Sequence, residues 1–343
     1  MIDPWLLAHL VCPRCNGSLT LNGEWLTCHR DHRYPVIDDI PVMVLDDVEQ
    51  THWVATHALE FYREAAADSQ PSGGAIDPVV QEAIGATCGN LYRHLVGHLP
   101  RYPIPEIPFS APAGTSFLDV GCHWGRWCVS AARQGWRVVG IDPSLNGIRA
   151  AKRVARALGL DVALVIGDGR YLPFARSTFQ MVHSYSVLQH FAEDDVRRCL
   201  REIGRVLEPG GESHIQMAQQ MGVLNLINQA RRRFRPARLF QVRYWRLDAL
   251  RTVFSEEIGP TTLSVDGFLS LNAQLVDLDL LRPGQRALVQ LSHRLRRLSQ
   301  HQTWLIHAAD SVYVNSTKSQ GGADQVADEE NVSPHGRSAG RNR

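Results

Sequence analysis

A doubly wound α/β domain preceded by a small β module is the architecture the sequence predicts, and three observations carry that prediction. From Ser116 onward, apolar strand-like stretches alternate with helical ones, the pattern of a parallel sheet with helices on both faces. The first of these strands ends in a glycine-containing turn, DVGCHWGRW at 119–127, and the next two end in Asp142 and Asp168. Near the N-terminus, Cys12-x2-Cys15 is followed by Cys28-x3-His32 in a stretch too short to build its own core.

The chain has 343 residues, 44% of them hydrophobic, enough for one large domain with smaller attachments. Thirty-six basic residues balance thirty-five acidic ones, for a net charge of +1, so any case for nucleic acid or membrane as a partner must be local. Only Lys152 and Lys318 are lysines. No N-terminal stretch reads as a signal peptide, and no apolar run approaches the roughly 18–20 residues of a membrane span, which predicts a cytoplasmic protein. Seven cysteines, three of them within residues 12–28, fit one metal site plus core thiols better than a disulfide framework.

In chain order, residues 1–46 read as a small β-ribbon: CPRC, a turn at Asn22-Gly23, a strand-like EWLTC, and YPVIDDIPVMV. Residues 47–113 read as helix interrupted by SQPSGGAIDP, then as the proline-rich connector PRYPIPEIPFSAPAG. The main domain spans 114–316. Its predicted strands are SFLDVG, WRVVGID, VALVIGD, QMVHSYS, ESHIQM and, near the end, SVYVN. Its helices are placed at about 125–134, 144–158, 193–206, 247–254 and 284–299, with a basic lid at about 220–246. Residues 317–343 are polar and read as a disordered tail.

At the first turn, a helix opening near Gly125 would aim backbone amides at a ligand at the strand's carboxyl end. Asp142, about twenty residues on, suits the hydroxyls of a ribose. His123 stands where a third glycine is expected, and histidine is among the residues enriched at positive φ. Three acids at successive strand ends, followed by QMVHSYSVLQHF and RVLEPGG, depart from the dinucleotide pattern and resemble class I S-adenosylmethionine-dependent methyltransferases over residues 115–217. The resemblance implies a Rossmann-like seven-stranded sheet. It also implies a methionine-binding turn at 119–125, a ribose acid at Asp142, and an acid at Asp168 that receives the adenine amino group. The cofactor contacts expected on this basis are Asp119, Gly121, Cys122, His123, Gly125, Asp142, Asp168, Gly169 and Tyr185. Ser184 and Tyr185 are expected to line the adenosyl pocket, with His183 on the opposite face.

The spacing Cys12, Cys15, Cys28, His32 gives two short loops of two ligands each, suited to a closed structural zinc site. His29, adjacent to Cys28, would close too tight a ring. YPVIDDIPVMV resembles the small zinc-ribbon proteins that activate tRNA and release-factor methyltransferases. The ligand spacing is similar instead to the N-terminal finger of bacterial large-subunit rRNA guanine methyltransferases.

His190, after the fourth strand, is the candidate base for a hydroxyl acceptor; the alternative is a histidine that packs or caps a helix start. Between Gly222 and Arg251 lie eight arginines and one acid, Asp248. RRRFRPARLF could meet RNA, a nucleotide-sugar or an anionic lipid surface, or could simply be solvated. The nitrogen-methylating signature Asn/Asp-Pro-Pro-Tyr is absent, HSYS standing in its place. The expectation is therefore O-methylation of a small-molecule, glycan or lipid-linked acceptor. The alternatives are an RNA methyltransferase gripping its substrate through the ribbon and the arginines, and a non-catalytic cofactor-binding scaffold or activator.

Overall fold

The computed structural model describes residues 1–49, 76–87, 91–269, 271 and 274–320. Most of the helical reading of 48–100, and the tail beyond 320, lie outside the described residues. Inside them, the 47–113 segment contributes the helix Pro78–Thr87 and a short 3-10 turn at Arg93–Leu95.

The N-terminal module opens with a one-turn helix, Pro4–His9, capped by Asp3, whose carboxylate accepts from the Leu6 amide at 2.8 Å. Four short antiparallel strands follow in sequential order: β1 (Leu19–Asn22), β2 (Trp25–Cys28), β3 (Arg33–Ile37) and β4 (Ile40–Pro41). The predicted Asn22-Gly23 turn joins β1 to β2, with Gly23 at φ 61°.

The main domain is built on a seven-stranded sheet: β5 (Ser116–Val120), β6 (Arg137–Asp142), β7 (Ala163–Ile166), β8 (Phe179–Tyr185), β9 (Leu207–Ala218), β10 (Thr261–Gly267) and β11 (Ser311–Thr317). The spatial order is β10-β11-β9-β8-β5-β6-β7. Strands β5 to β9 are parallel, and β11 runs antiparallel between β9 and β10. The switch point, where the chain steps from β5 outward to β6 in one direction and to β8 in the other, lies beside the DVGCHWGRW turn, where such sheets bind ligands. β10 was not foreseen: TTLSVDG alternates exposed and buried side chains, but it is short and rich in small polar residues.

The helices Arg126–Ala132, Leu145–Ala157, Glu193–Val206, Leu247–Glu257 and Pro283–Ser299 match the sequence reading to within a few residues. Glu193–Val206 shows why: its first turn carries Glu193, Asp194 and Asp195, favourable at the positive end of the helix, and Val196, Cys199, Leu200, Ile203 and Val206 recur on one buried face.

The ribbon is not a separate bead. Val42 pairs with Ile166 and extends the sheet beyond β7, with the Met43 amide donating to the Ile166 carbonyl at 2.7 Å. The Val11 amide donates to Pro173, and the Ala175 amide to His9. Leu6, Leu10, Leu26 and Met43 belong to the same buried cluster as Leu118, Ile141, Phe174 and Phe179. A module of this size thus obtains its core from the edge of the sheet. Among the described residues no helix is long and apolar enough to cross a membrane.

Candidate cofactor site and metal centre

The turn after β5 adopts the backbone that its glycines and His123 imply. Gly121 and Gly125 both have φ 78°, and His123 has φ 46°, the left-handed region expected of it. A Cβ on Gly121 would lie 2.3 Å from Val187 Cγ2, and one on Gly169 2.9 Å from Val120 Cγ1, so both positions exclude a side chain. Four of the turn's amides are engaged within the protein. Gly121 and Cys122 donate to the Ile141 carbonyl (2.8 and 3.1 Å), Gly125 to Cys122 (2.8 Å), and His123 to Asp142 Oδ2 (3.0 Å). A turn whose N–H groups are already bonded is not a phosphate nest.

Asp142 is buried at the carboxyl end of β6, with Oδ1 accepting from the Ser144 amide at 2.8 Å. Burial raises its pKa above the ordinary carboxylate value, opposed by the nearby His123 and the two amides. The His123 ring packs on the first turn of the following helix, where a Cβ on Gly147 would come within 3.0 Å of it. It therefore frames Asp142, to which its own amide donates.

Three predicted contacts are corrected. The Asp119 carboxylate turns onto the sheet face beneath helix Arg126–Ala132, its Oδ1 3.0 Å from His183 Nδ1, and both side chains are buried. The Cys122 thiol points into the core against Gly140, and burial pushes its pKa well up, so only its backbone can meet a ligand. Tyr185 shares its face with His183, as residues two apart on a strand must, and its hydroxyl donates to Asp266 Oδ2 at 3.0 Å. Ser184, on the other face, donates to the Val120 carbonyl at 2.8 Å.

Asp168 is held by a residue the sequence reading missed. Arg170 Nη2 and Nε reach its carboxylate at 2.7 and 3.1 Å, and the same guanidinium bonds Asp195 and the Glu49 carbonyl. The signal was present, since an arginine two residues after a strand-end acid can fold back on it. Equally unforeseen is the aromatic group around Trp127, Tyr185 and Tyr313, with Arg126 stacked over the first two. Within it, Trp127 Nε1, His183 Nε2 and Tyr313 Oη are buried with no hydrogen-bond partner among the described residues.

His190 sits in the 3-10 turn Leu188–His190 after β8. Its ring stacks on Phe240 (centroids 4.0 Å, planes 4° apart), and Nδ1 lies 2.7 Å from the Phe240 carbonyl. A carbonyl only accepts, so Nδ1 donates in this hydrogen bond.

In the ribbon, Cys12, Cys15, Cys28 and His32 bring one ligand atom each within 4.8 Å of one another. His32 Nδ1 is 3.3 Å from Cys12 Sγ and 3.5 Å from Cys28 Sγ, and the Cys15 and Cys28 sulfurs are 3.9 Å apart. These are edge lengths of a tetrahedron around an ion with ligand bonds of about 2.0–2.3 Å. His29 is not in the cluster; its ring covers Gly17. Two cavities, of about 1010 and 640 Å³, lie elsewhere, the first beneath the proline-rich connector and the second between the N-terminal module and the amino ends of β6 and β7.

Strand order, turn and strand-end acids together define a class I methyltransferase type of domain. Consistent with this, residues 117–211 match a family described as a methyltransferase domain, and this chain carries such a domain. Norajmaline N-methyltransferase of Rauvolfia serpentina is 35% identical over 98 residues, covering 28% of this chain and 33% of that protein. A ubiquinone biosynthesis O-methyltransferase of Brucella anthropi is 33% identical over 111 residues, covering 32% and 43%. The chain thus spans less than half the length of these curated relatives. Among solved structures, a Haemonchus contortus phosphoethanolamine N-methyltransferase 2 in complex with S-adenosyl-L-methionine aligns with a TM-score of 0.45 at 17% identity, covering 71% of this chain and 58% of that one.

Proposed function

We propose that this chain transfers the methyl group of S-adenosylmethionine to an oxygen acceptor. The observation that carries the cofactor class is the self-bonded turn. The amides of Gly121, Cys122, His123 and Gly125 are engaged internally and are not offered to a pyrophosphate, while the buried carboxylate of Asp142 suits a ribose diol. The glycines at 121 and 169 let backbone approach where a side chain would collide.

Bound there, the cofactor supplies an electrophilic methyl on a sulfonium. Asp142 would accept from the ribose hydroxyls, and Asp168 with Arg170 would border the adenine. His190, held by Phe240 in the turn after β8, would take the proton from an acceptor hydroxyl. Much of the remaining acceleration is positional. Oxygen is favoured over nitrogen because HSYS replaces the Pro-Pro-Tyr signature of base amino-group methylation. Cys12, Cys15, Cys28 and His32 would hold one zinc ion with all four positions filled, a structural role.

Titration calorimetry with S-adenosylmethionine tests the reading. Binding by the full chain, lost in Asp142→Ala, is expected, together with transfer of labelled methyl to hydroxyl-bearing acceptors in a fractionated extract. A folded protein that does not bind the cofactor refutes it.

A further inference from the structure

The helix Val223–Arg231 is inside out. It buries Asn225 and Gln229, whose side-chain amides donate to backbone carbonyls: Asn225 to Gln219 and Asp310 (2.7 and 2.6 Å), Gln229 to Gln220 (2.8 Å). The side chains it and its flanks turn to solvent are apolar: Met221 is 55% exposed, Val223 50%, Ile227 42%, Phe234 68% and Leu239 86%. Burial of apolar surface ordinarily sets which face of a helix points inward. Here hydrogen bonds hold Asn225 and Gln229 in and leave Val223 and Ile227 of the helix, with Met221, Phe234 and Leu239 of its flanks, out, an accumulation of exposed apolar side chains within one segment that marks an interaction surface.

Charge says what covers it. Arg231, Arg233, Arg235 and Arg238 are all exposed beside these side chains, and residues 221–240 contain no acid. Apolar side chains set among cations are what an anionic bilayer accepts, the first entering the acyl boundary and the second meeting the headgroups. RNA fits less well, because four of the six exposed apolar side chains of 221–240, all but Phe234 and Phe240, are aliphatic and give bases nothing to stack on, and the Phe240 ring is already stacked on His190. A second copy of the chain would set arginine against arginine.

We propose that residues 221–240 dock this protein on an anionic phospholipid surface. Resting on the methyltransferase reading, the docking also names the acceptor class, a membrane-resident molecule with a hydroxyl near the headgroups. The link to the site is direct. Phe240, at the end of the docking segment, stacks on His190, and Arg243 donates its amide to the Gln189 carbonyl at 2.8 Å, in the same turn.

The test is co-sedimentation of the full chain with phosphatidylcholine vesicles and with vesicles rich in phosphatidylglycerol, at low and moderate salt. Association with the anionic vesicles alone is expected. Replacing Arg231, Arg233, Arg235 and Arg238 by alanine should weaken it on the order of 100-fold or more at low salt. Phe234→Ser with Leu239→Ser should weaken it by at least about tenfold at either salt. Calorimetric binding of S-adenosylmethionine, measured in parallel, should be unchanged in both variants. Wild type that binds the cofactor but ignores anionic vesicles overturns the docking and leaves the methyltransferase reading standing; failure of the cofactor titration alone does the reverse. Docking is equally overturned by vesicle association insensitive to both variants. It is overturned too if the variants instead abolish tight RNA binding, or if they convert a dimer to a monomer without changing vesicle association.

Discussion

Gly121→Ala makes the geometry of the cofactor turn quantitative. An added methyl would sit 2.3 Å from Val187 Cγ2 and 2.9 Å from its Cγ1, so Val187 must retreat by about 1 Å to reach ordinary contact. Overpacking of this kind costs about 1–3 kcal/mol. The backbone adds its own cost: at φ 78° a non-glycine residue is disfavoured by roughly 1–2 kcal/mol. Together they predict about 2–5 kcal/mol of destabilisation, a large share of the roughly 5–15 kcal/mol of a typical domain. The two parts separate in a double-mutant cycle. Val187→Ala removes the colliding methyls but cannot relieve φ, so the double variant should be less destabilised than the sum of the singles by about 1–3 kcal/mol. Urea unfolding measures the stabilities, and calorimetric titration of S-adenosylmethionine should show weakened binding in Gly121→Ala. Strict additivity of the two substitutions would refute the collision, and undiminished cofactor affinity in a folded Gly121→Ala would refute the placement of the turn at the cofactor.

Three further outcomes follow from the same site. Asp142 has a raised pKa because it is buried, so the folded state binds its proton more tightly than the unfolded one; its contribution to stability is greatest below the unfolded carboxylate pKa and is lost as pH rises through the folded value. Asp142→Asn should therefore be more stable than wild type near neutrality, by urea unfolding, with the gain shrinking in acid, while cofactor binding falls. His190→Gln should lower kcat by about 100-fold or more at unchanged cofactor affinity if the ring takes the acceptor proton, and a kcat within a few-fold of wild type would remove it from that role. Purified protein should carry one zinc per chain by atomic emission, Cys15→Ser should lose it, and the loss should lower the thermal midpoint of the whole molecule because the ribbon shares its core with the sheet.

The alternation of strands and helices was legible because each element has a strong local cause. Val196, Cys199, Leu200 and Ile203 recur with a helix period, and VVGID and VIGD are apolar runs that end at acids. Likewise, the four ribbon ligands are set by two short loops, so their convergence followed from spacing. What escaped was decided between elements. Asp119 looks like part of the turn, yet its partner His183 is on a neighbouring strand, in register across the β5–β8 pair. Nor does spacing reveal that the turn's amides close on Ile141 and Asp142, because that depends on how β6 lies beside β5. The inside-out helix illustrates the limit from the other side: VLNLINQAR has an apolar face that sequence reasoning would bury, and only Gln219, Gln220 and Asp310 reverse it.

Those long-range contacts also tie the module that carries the Cys/His cluster to the strand ends of the main sheet. Asp168 lies two residues after β7, the strand that Val42 of the ribbon pairs with at Ile166. Arg170, two residues on, grips Asp168 and reaches the Glu49 carbonyl just after the ribbon. The ribbon and the residue that follows it therefore bear on the surroundings of Asp168 through two routes, a backbone bridge and a guanidinium. Without the metal ligands, Leu10, Val11, Val42 and Met43 would have no rigid frame from which to cover the β7 edge, and an uncovered edge strand is both mobile and prone to pairing with other chains. On this argument the ribbon acts on the cofactor site through the placement of β7 and Arg170, with no need for a ligand or catalytic group of its own.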